Sequence, residues 1–235
     1  MMRYDRQITL PEIGEAGQHK LQKASVLIVG VGGLGSPISL YLAGAGVGTI
    51  GLVDSDIVSL SNLQRQVLYS EKELGRPKVL CAKERLEALN SEVVVHAYPV
   101  CLTAENATGL IAPYDIVVDG CDNFATRYLI NDTCVALGKP YVYGAISELE
   151  GQVSVFNHTP EDPVTNRTYR DLYPSEEELA PLASSPKGVV GVTPGLVGCA
   201  EANEVLKLIC GYGEVLAGKL WSIDLRTMQV CLIDF

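Results

Sequence analysis

Four glycines, two aspartates and a lysine stand where a nucleotide phosphate would need them. Gly30, Gly32 and Gly35 are spaced G-x-G-x-x-G, with Gly33 added between. Such a turn lets backbone N–H groups come close to a phosphate and aims the positive end of the next helix at it. Asp54 follows Gly35 by 19 positions, where a carboxylate would take the ribose hydroxyls. Lys78 comes after Gly75-Arg76-Pro77, so it projects from the first turn of a helix, where the helix dipole favours negative charge. A cation set against that field is placed to meet an anion, although a solvated surface lysine would read the same way. Asp122 and Asn123 close a strand at the head of another helix. They either cap that helix or, for the acid, hold Mg²⁺ on a phosphate. The residues point to a nucleotide and leave open whether it is a nicotinamide dinucleotide or ATP.

Those groups need a scaffold that brings them together, and the chain supplies one. Residues 26–29 form a short unbroken apolar run, the pattern of a central parallel strand buried on both faces. Residues 36–45 read as a helix and 49–53 as the second strand. Ahead of them, an arm over residues 1–24 carries Arg3, Arg6 and a helix expected at 11–21. A long polar loop after Asp56 holds Asn62, Gln64, Arg65 and Gln66 together, and a helix follows to Asn90. Next come a strand at 93–98, a helix at 103–111 capped by Thr103, a strand at 115–119 and a helix at 124–137. Strands at 140–145 and 151–157 are joined by too few residues for a crossover helix, so they pair antiparallel. Residues 158–187, with five prolines and three consecutive glutamates, read as a mobile surface segment. A glycine-rich turn at 188–198, a helix at 199–210 and a strand pair at 220–224 and 229–234 complete the chain. The expected architecture is one α/β domain of Rossmann-like fold. Its mainly parallel sheet spans a nucleotide-binding half, 25–145, and is extended by antiparallel strands in the C-terminal half, 146–235. Ligands in such sheets collect at the carboxyl ends of the strands, so Asp54 and Asp122 are expected to face one crevice.

Composition narrows the function. The 235 residues are 47% hydrophobic and 20% charged, and the mean hydropathy of +0.19 is normal where a parallel sheet is covered on both faces. No apolar run is long enough to span a membrane and the first residues lack the core of a signal peptide, so a cytoplasmic location is expected. The net charge of −10 argues against a nucleic-acid partner, which would need a basic footprint. Seven cysteines are scattered singly with no C-x-x-C pair, which reads as buried thiols rather than a disulfide framework or a zinc cluster.

Assembled in order, these pieces resemble the ThiF/MoeB/HesA family, relatives of ubiquitin-activating enzymes that adenylate the C-terminus of a ubiquitin-like sulfur carrier. The resemblance covers almost the whole chain. It rests on Arg3-Tyr4-Asp5-Arg6-Gln7, Gly30 to Gly35, Asp54-Ser55-Asp56, Ser61-Asn62-Leu63-Gln64-Arg65-Gln66, Gly75-Arg76-Pro77-Lys78, Asp122-Asn123-Phe124 with Arg127, Tyr143-Gly144-Ala145, Gly151-Gln152-Val153 and Thr193-Pro194-Gly195. It implies an ATP site in which Gly33 lies beside the nucleotide and Asp54 binds the ribose. The stretch Ser61, Asn62, Leu63, Gln64 and Arg65 would border the nucleotide, Asn62 and Arg65 contacting its phosphates. Lys78 would hold the triphosphate near the reacting α-phosphate, and Asp122 would carry Mg²⁺ with Asn123 beside it. Arg6 would reach across a homodimer into the partner's ATP.

The same resemblance implies a carrier ending in Gly-Gly, closest to the ThiF branch of thiamine-thiazole synthesis, with MoaD-type carriers of molybdopterin synthesis as the alternative. Two departures qualify it. Many members hold zinc with two C-x-x-C pairs, and neither occurs here, so structural zinc is not expected. Many also carry a crossover-loop cysteine for a persulfide or thioester step. Ser184-Ser185-Pro186-Lys187 stands in that region, so a separate sulfur donor is expected. Outside the family, a nicotinamide oxidoreductase would explain Gly30 to Asp54 but leave Arg65, Lys78 and Asp122 without roles. A carrier-binding scaffold that has lost turnover would not need all three.

Overall fold

Strands β1 (Ser25–Val29), β2 (Thr49–Val53), β3 (Val94–Tyr98), β4 (Ile116–Asp119) and β5 (Tyr141–Ser147) lie in the order β3-β2-β1-β4-β5 and pair in parallel. The sheet continues through β6 (Glu150–Phe156), β7 (Lys219–Asp224) and β8 (Gln229–Asp234), all antiparallel. The computed structural model describes residues 3–158, 166–179 and 188–235. The parallel half with its antiparallel extension is the architecture expected from the sequence.

Alternation along β1 shows why that strand is apolar at successive positions. Val26 and Ile28 enter one core, Leu27 and Val29 the other, because successive side chains leave opposite faces of a strand. The first core is closed by helices α2 (Gly14–Lys23), α3 (Gly35–Ala45), α4 (Lys78–Leu89) and α9 (Val192–Cys210). The second is closed by α5 (Ala107–Ile111), α6 (Phe124–Leu137) and α7 (Tyr169–Leu172). Two short helices, α1 (Asp5–Ile8) and α8 (Glu176–Leu179), complete the set among the described residues. No helix among them is long and apolar enough to cross a membrane.

Several boundaries differ from the sequence reading, each for a local reason. Helix α2 starts at Gly14 rather than Pro11, because Leu10 O accepts from Ile13 N and Gly14 N in a turn that contains the proline. Helix α5 starts at Ala107, since Asn106 Oδ1 folds back onto Thr103 N at 2.8 Å and makes residues 103–106 a side-chain-closed turn. The largest correction is α9. Its first residue is Val192, so Gly195 and Gly198 lie inside a helix and not in a turn. A Cβ on Gly198 would meet Pro37 Cγ at 2.6 Å and Leu34 O at 2.7 Å; the glycine is there so that α9 can press on α3. Gly198→Ala should therefore destabilise the protein by about 1–3 kcal/mol through overpacking. Urea unfolding checks this, and an unchanged midpoint would show that the helices part without penalty.

The segment 158–187 divides. Residues 159–165 and 180–187 lie outside the described residues, so the expectation of mobility there stands apart from this account. Residues 166–179 do not simply lie on the surface. Tyr169 is wholly buried, with ring centroids 5.0 Å from Tyr128, 5.4 Å from Tyr143 and 5.0 Å from Tyr173. An aromatic anchor of this kind outweighs the polar composition around it.

Candidate functional site

The crevice opens where the strand order reverses, at the carboxyl ends of β1 and β4. Backbone contact makes its floor. Gly30 has φ +90°, and its carbonyl would lie 2.1 Å from a Cβ on Gly35 or on Gly120. Gly30 N donates to Val53 O and Gly120 N to Val29 O, both at 2.7 Å. No side chain fits between these strands and α3, so the turn needs glycine for packing as well as for any ligand. The space above is about 550 Å³, within the range of small-molecule sites.

Of the residues expected from the sequence, Gly33, Asp54, Arg65, Lys78, Asp122 and Asn123 all border this space. Asp54 is anchored to the turn it was expected to complement: Oδ2 accepts from Val31 N at 2.9 Å and Oδ1 from Asp56 N at 2.8 Å. Lys78 is not a solvated surface lysine. Its side chain is 5% exposed and donates to Asp56 Oδ2 at 2.8 Å, while Asp56 is 68% exposed. Asp56 is thus the anion that meets this cation in the structure, and its exposure lets water take over from Lys78 when a phosphate arrives. Arg65 donates to Ser61 O at 3.1 Å and lies over Gly33 beside Pro194.

Asp122 and Asn123 separate. Asn123 Oδ1 accepts from Thr126 N at 2.9 Å and caps α6. Asp122 is exposed to the crevice, and among the described residues no hydrogen bond engages it. Capping therefore accounts for Asn123 and not for the acid.

Ser61, Asn62, Leu63 and Gln64 form a shoulder rather than a wall of the crevice. Asn62 Oδ1 accepts from Ser59 N at 3.3 Å, closing the turn at Leu60–Asn62. Leu63 packs on the core, and Gln64 Nε2 reaches Val189 O at 3.5 Å. Arg6, exposed on α1, does not border the crevice of its own chain. The cysteines are mixed: Cys81, Cys121, Cys134 and Cys210 are buried as expected, but Cys101 and Cys231 are exposed. Cys101 borders the crevice, with its Sγ 2.9 Å from Ser55 Oγ.

Sequence reasoning gave no role to the best-organised group in the site. Arg127, on the first turn of α6, is 7% exposed and borders the crevice. Its Nε donates to Asp119 Oδ2 at 3.0 Å, and Nη2 to Cys121 O at 3.1 Å and Gly144 O at 3.3 Å. Tyr141 OH donates to the same Asp119 oxygen at 2.9 Å, and Cys121 N to the other at 2.8 Å. Burial alone would lower the guanidinium's pKa; Asp119 and the surrounding hydroxyl and thiol groups more than offset it and hold Arg127 charged. Burial, then Asp119, push the Cys121 thiol well up, so it stays neutral. The available signal was an acid ending an apolar strand with an arginine eight positions on.

Arg65, Lys78 and Arg127 thus share the rim with Asp54, Asp56, Asp122 and Glu148. The side chains alone do not make a positive pocket. Among the described residues there is no group of three or more His, Cys, Asp or Glu that could hold a metal ion by itself. One open carboxylate on the crevice, Asp122, suits Mg²⁺, which binds through one or two carboxylates plus substrate phosphates.

Fold and crevice together define a nucleotide-binding α/β protein with cations and a carboxylate set around the glycine turn. The ThiF family model matches residues 4–234. The chain belongs to the ThiF family, a family of enzymes. It is 50% identical over 223 residues to a sulfur carrier protein adenylyltransferase of Thermus thermophilus, covering 94% of this chain and 82% of that protein. It is 45% identical over 228 residues to the probable adenylyltransferase/sulfurtransferase MoeZ of Mycobacterium tuberculosis, covering 97% of this chain and 58% of that one. The chain therefore spans little more than half of MoeZ. Among solved structures, Escherichia coli MccB with MccA aligns at TM-score 0.85 and 26% identity, over 99% of this chain and 71% of that one. MccB with ATP aligns at TM-score 0.81 and 25% identity, over 93% and 65%.

Proposed function

We propose that this protein is an adenylyltransferase that activates the C-terminal carboxylate of a ubiquitin-like sulfur carrier with ATP and releases pyrophosphate. The observation that carries the reading is the convergence of Arg65, Lys78 and Asp122 on one crevice beside the glycine turn. A dinucleotide oxidoreductase leaves those three without work. The relatives' names, a sulfur carrier protein adenylyltransferase and a probable adenylyltransferase/sulfurtransferase, support a sulfur carrier as the group adenylated.

In this reaction a carboxylate oxygen of the tail bonds to the α-phosphorus, and the bond to the bridging oxygen of the β-phosphate breaks, giving an acyl adenylate. The attacking carboxylate is already ionised, so no base is required. The difficulty is electrostatic, since one anion must approach a polyanion. Lys78 and Arg65 would draw charge off the phosphates, while Asp54 fixes the turn and takes the ribose. Mg²⁺, when held on Asp122, would supply the further positive charge that a rim with four acids against three bases lacks. Arg6 would complete the neighbouring subunit's site in a homodimer. Positioning and charge, rather than covalent chemistry by the enzyme, would carry the acceleration.

The test is carrier-dependent exchange of labelled pyrophosphate into ATP. Exchange is expected with a carrier ending in Gly-Gly, to be absent with a truncated tail, and to be lost on adding a chelator. Stabilisation by NAD with none by Mg-ATP would overturn the reading, because a ligand stabilises the fold that binds it. Running ThiS-like and MoaD-like carriers side by side decides the finer assignment, for which we propose the thiamine-thiazole branch.

A further inference from the structure

Glu201 lies midway along α9, is wholly buried, and has no hydrogen-bond partner for either carboxyl oxygen. It rests against the backbone of β5. A Cβ on Gly144 would stand 2.2 Å from Glu201 Cδ and 2.3 and 2.5 Å from its two oxygens. The glycine is what leaves room for the acid. The carbonyl of the same glycine accepts from Arg127 Nη2 at 3.3 Å, so Glu201 backs the residue that anchors one end of the crevice.

Charges around it do not supply a counter-ion. Asp119 on β4 opposes its ionisation and Arg127 on α6 favours it, but Arg127 is already committed to Asp119. On α9 itself, Glu204 and Lys207 pair with each other. Tyr41 of α3 bonds Cys199, Lys20 of α2 reaches the Cys210 carbonyl, and Glu150 of β6 is held by Arg226. Burial, reinforced by Asp119, pushes the carboxyl well above the usual carboxylate range. An ionised carboxylate without hydrogen bonds is far costlier to bury than a neutral acid.

We infer that Glu201 is kept as the neutral carboxylic acid at neutral pH, and that its deprotonation sets an alkaline limit on the fold and on the Arg127 end of the crevice. In the unfolded chain the group ionises near its ordinary value of about 4.3. Above that pH, and until the buried group itself ionises, the folded state holds one proton more than the unfolded state. The stabilisation is complete below the unfolded value. It then falls as pH rises, tenfold in the folding constant per pH unit for a single proton, and levels off once the folded group has ionised.

Glu201→Gln has the same shape and no proton to lose. Urea unfolding of both proteins from about pH 5.5 to about pH 7 should show the ratio of their folding constants, variant over wild type, rising about tenfold per unit. Parallel profiles overturn the inference. Infrared spectra of the wild type with ¹³C-labelled glutamate give a reading that does not depend on the variant folding. A protonated glutamic-acid carbonyl band at neutral pH is expected, and its absence overturns the inference. Once the pH is high enough to ionise the folded group, ATP affinity should fall in the wild type and not in Glu201→Gln; an equal fall in both removes the link to Arg127. If neither protein binds ATP, the nucleotide reading has failed, and the folding comparison still decides the state of Glu201.

Discussion

Lys78→Met is expected to lower the rate of carrier-dependent pyrophosphate exchange by about 10²–10³-fold while leaving the protein folded. Two unit charges about 4 Å apart interact by roughly 4 kcal/mol at the effective dielectric of a partly buried site. Removing one preorganised donor from a developing anion costs about 2.7–4 kcal/mol in known cases. The two magnitudes agree, and both correspond to the stated loss. The fold survives because the partner left behind, Asp56, is 68% exposed and can be hydrated, whereas methionine keeps the buried stem of the lysine. Melting temperature and exchange rate measured on the same preparation separate the two effects. A loss of less than tenfold in a protein of unchanged melting temperature would return Lys78 to the role of a structural partner for Asp56.

Legibility followed physical locality. The glycine turn, β1, β2, Asp54 and the placement of Lys78 were all readable because each depends on neighbours within a few tens of residues and on a rigid backbone requirement. The paired strands β5 and β6 were readable because the connection read at 146–150, two residues long in the structure, is too short for a crossover helix and leaves an antiparallel return. Gly195 and Gly198 misled, because glycine signals both a flexible turn and a close helix contact, and deciding between them needs the facing residue Pro37, which is 161 positions away. The network of Asp119, Arg127, Tyr141 and Gly144 was hidden for the same reason: its members come from β4, α6 and β5, and none departs from the composition expected of its element. Tyr169 belongs to this class too, being an aromatic in a polar, proline-containing stretch whose partners Tyr128, Tyr143 and Phe156 lie on other elements.

That hidden network carries the largest expected effect on stability. Asp119 is wholly buried and is the carboxylate partner of Arg127, whose guanidinium is nearly as inaccessible. Asp119→Ala leaves a buried cation uncompensated and also strips Tyr141 OH and Cys121 N of their acceptor. Breaking a buried pair in this way costs about 3–5 kcal/mol, much more than the pair's net worth against two apolar residues. Removing both partners together should act in the opposite direction. Asp119→Ala combined with Arg127→Met should recover part of the lost stability, because the charge goes together with its partner and methionine fills the space between Phe124 and Tyr143. Urea unfolding of the wild type, the single and the double variant measures both terms. A single variant within about 1 kcal/mol of wild type would mean that water or a rearranged carbonyl already shields the guanidinium. A double variant less stable than the single would locate the stabilisation in the arginine's bonds to Cys121 O and Gly144 O instead. Either way exchange should fall in the folded single variant, since those carbonyls and Asp119 fix the turn from Gly120 to Asn123 that sets Asp122 at the crevice.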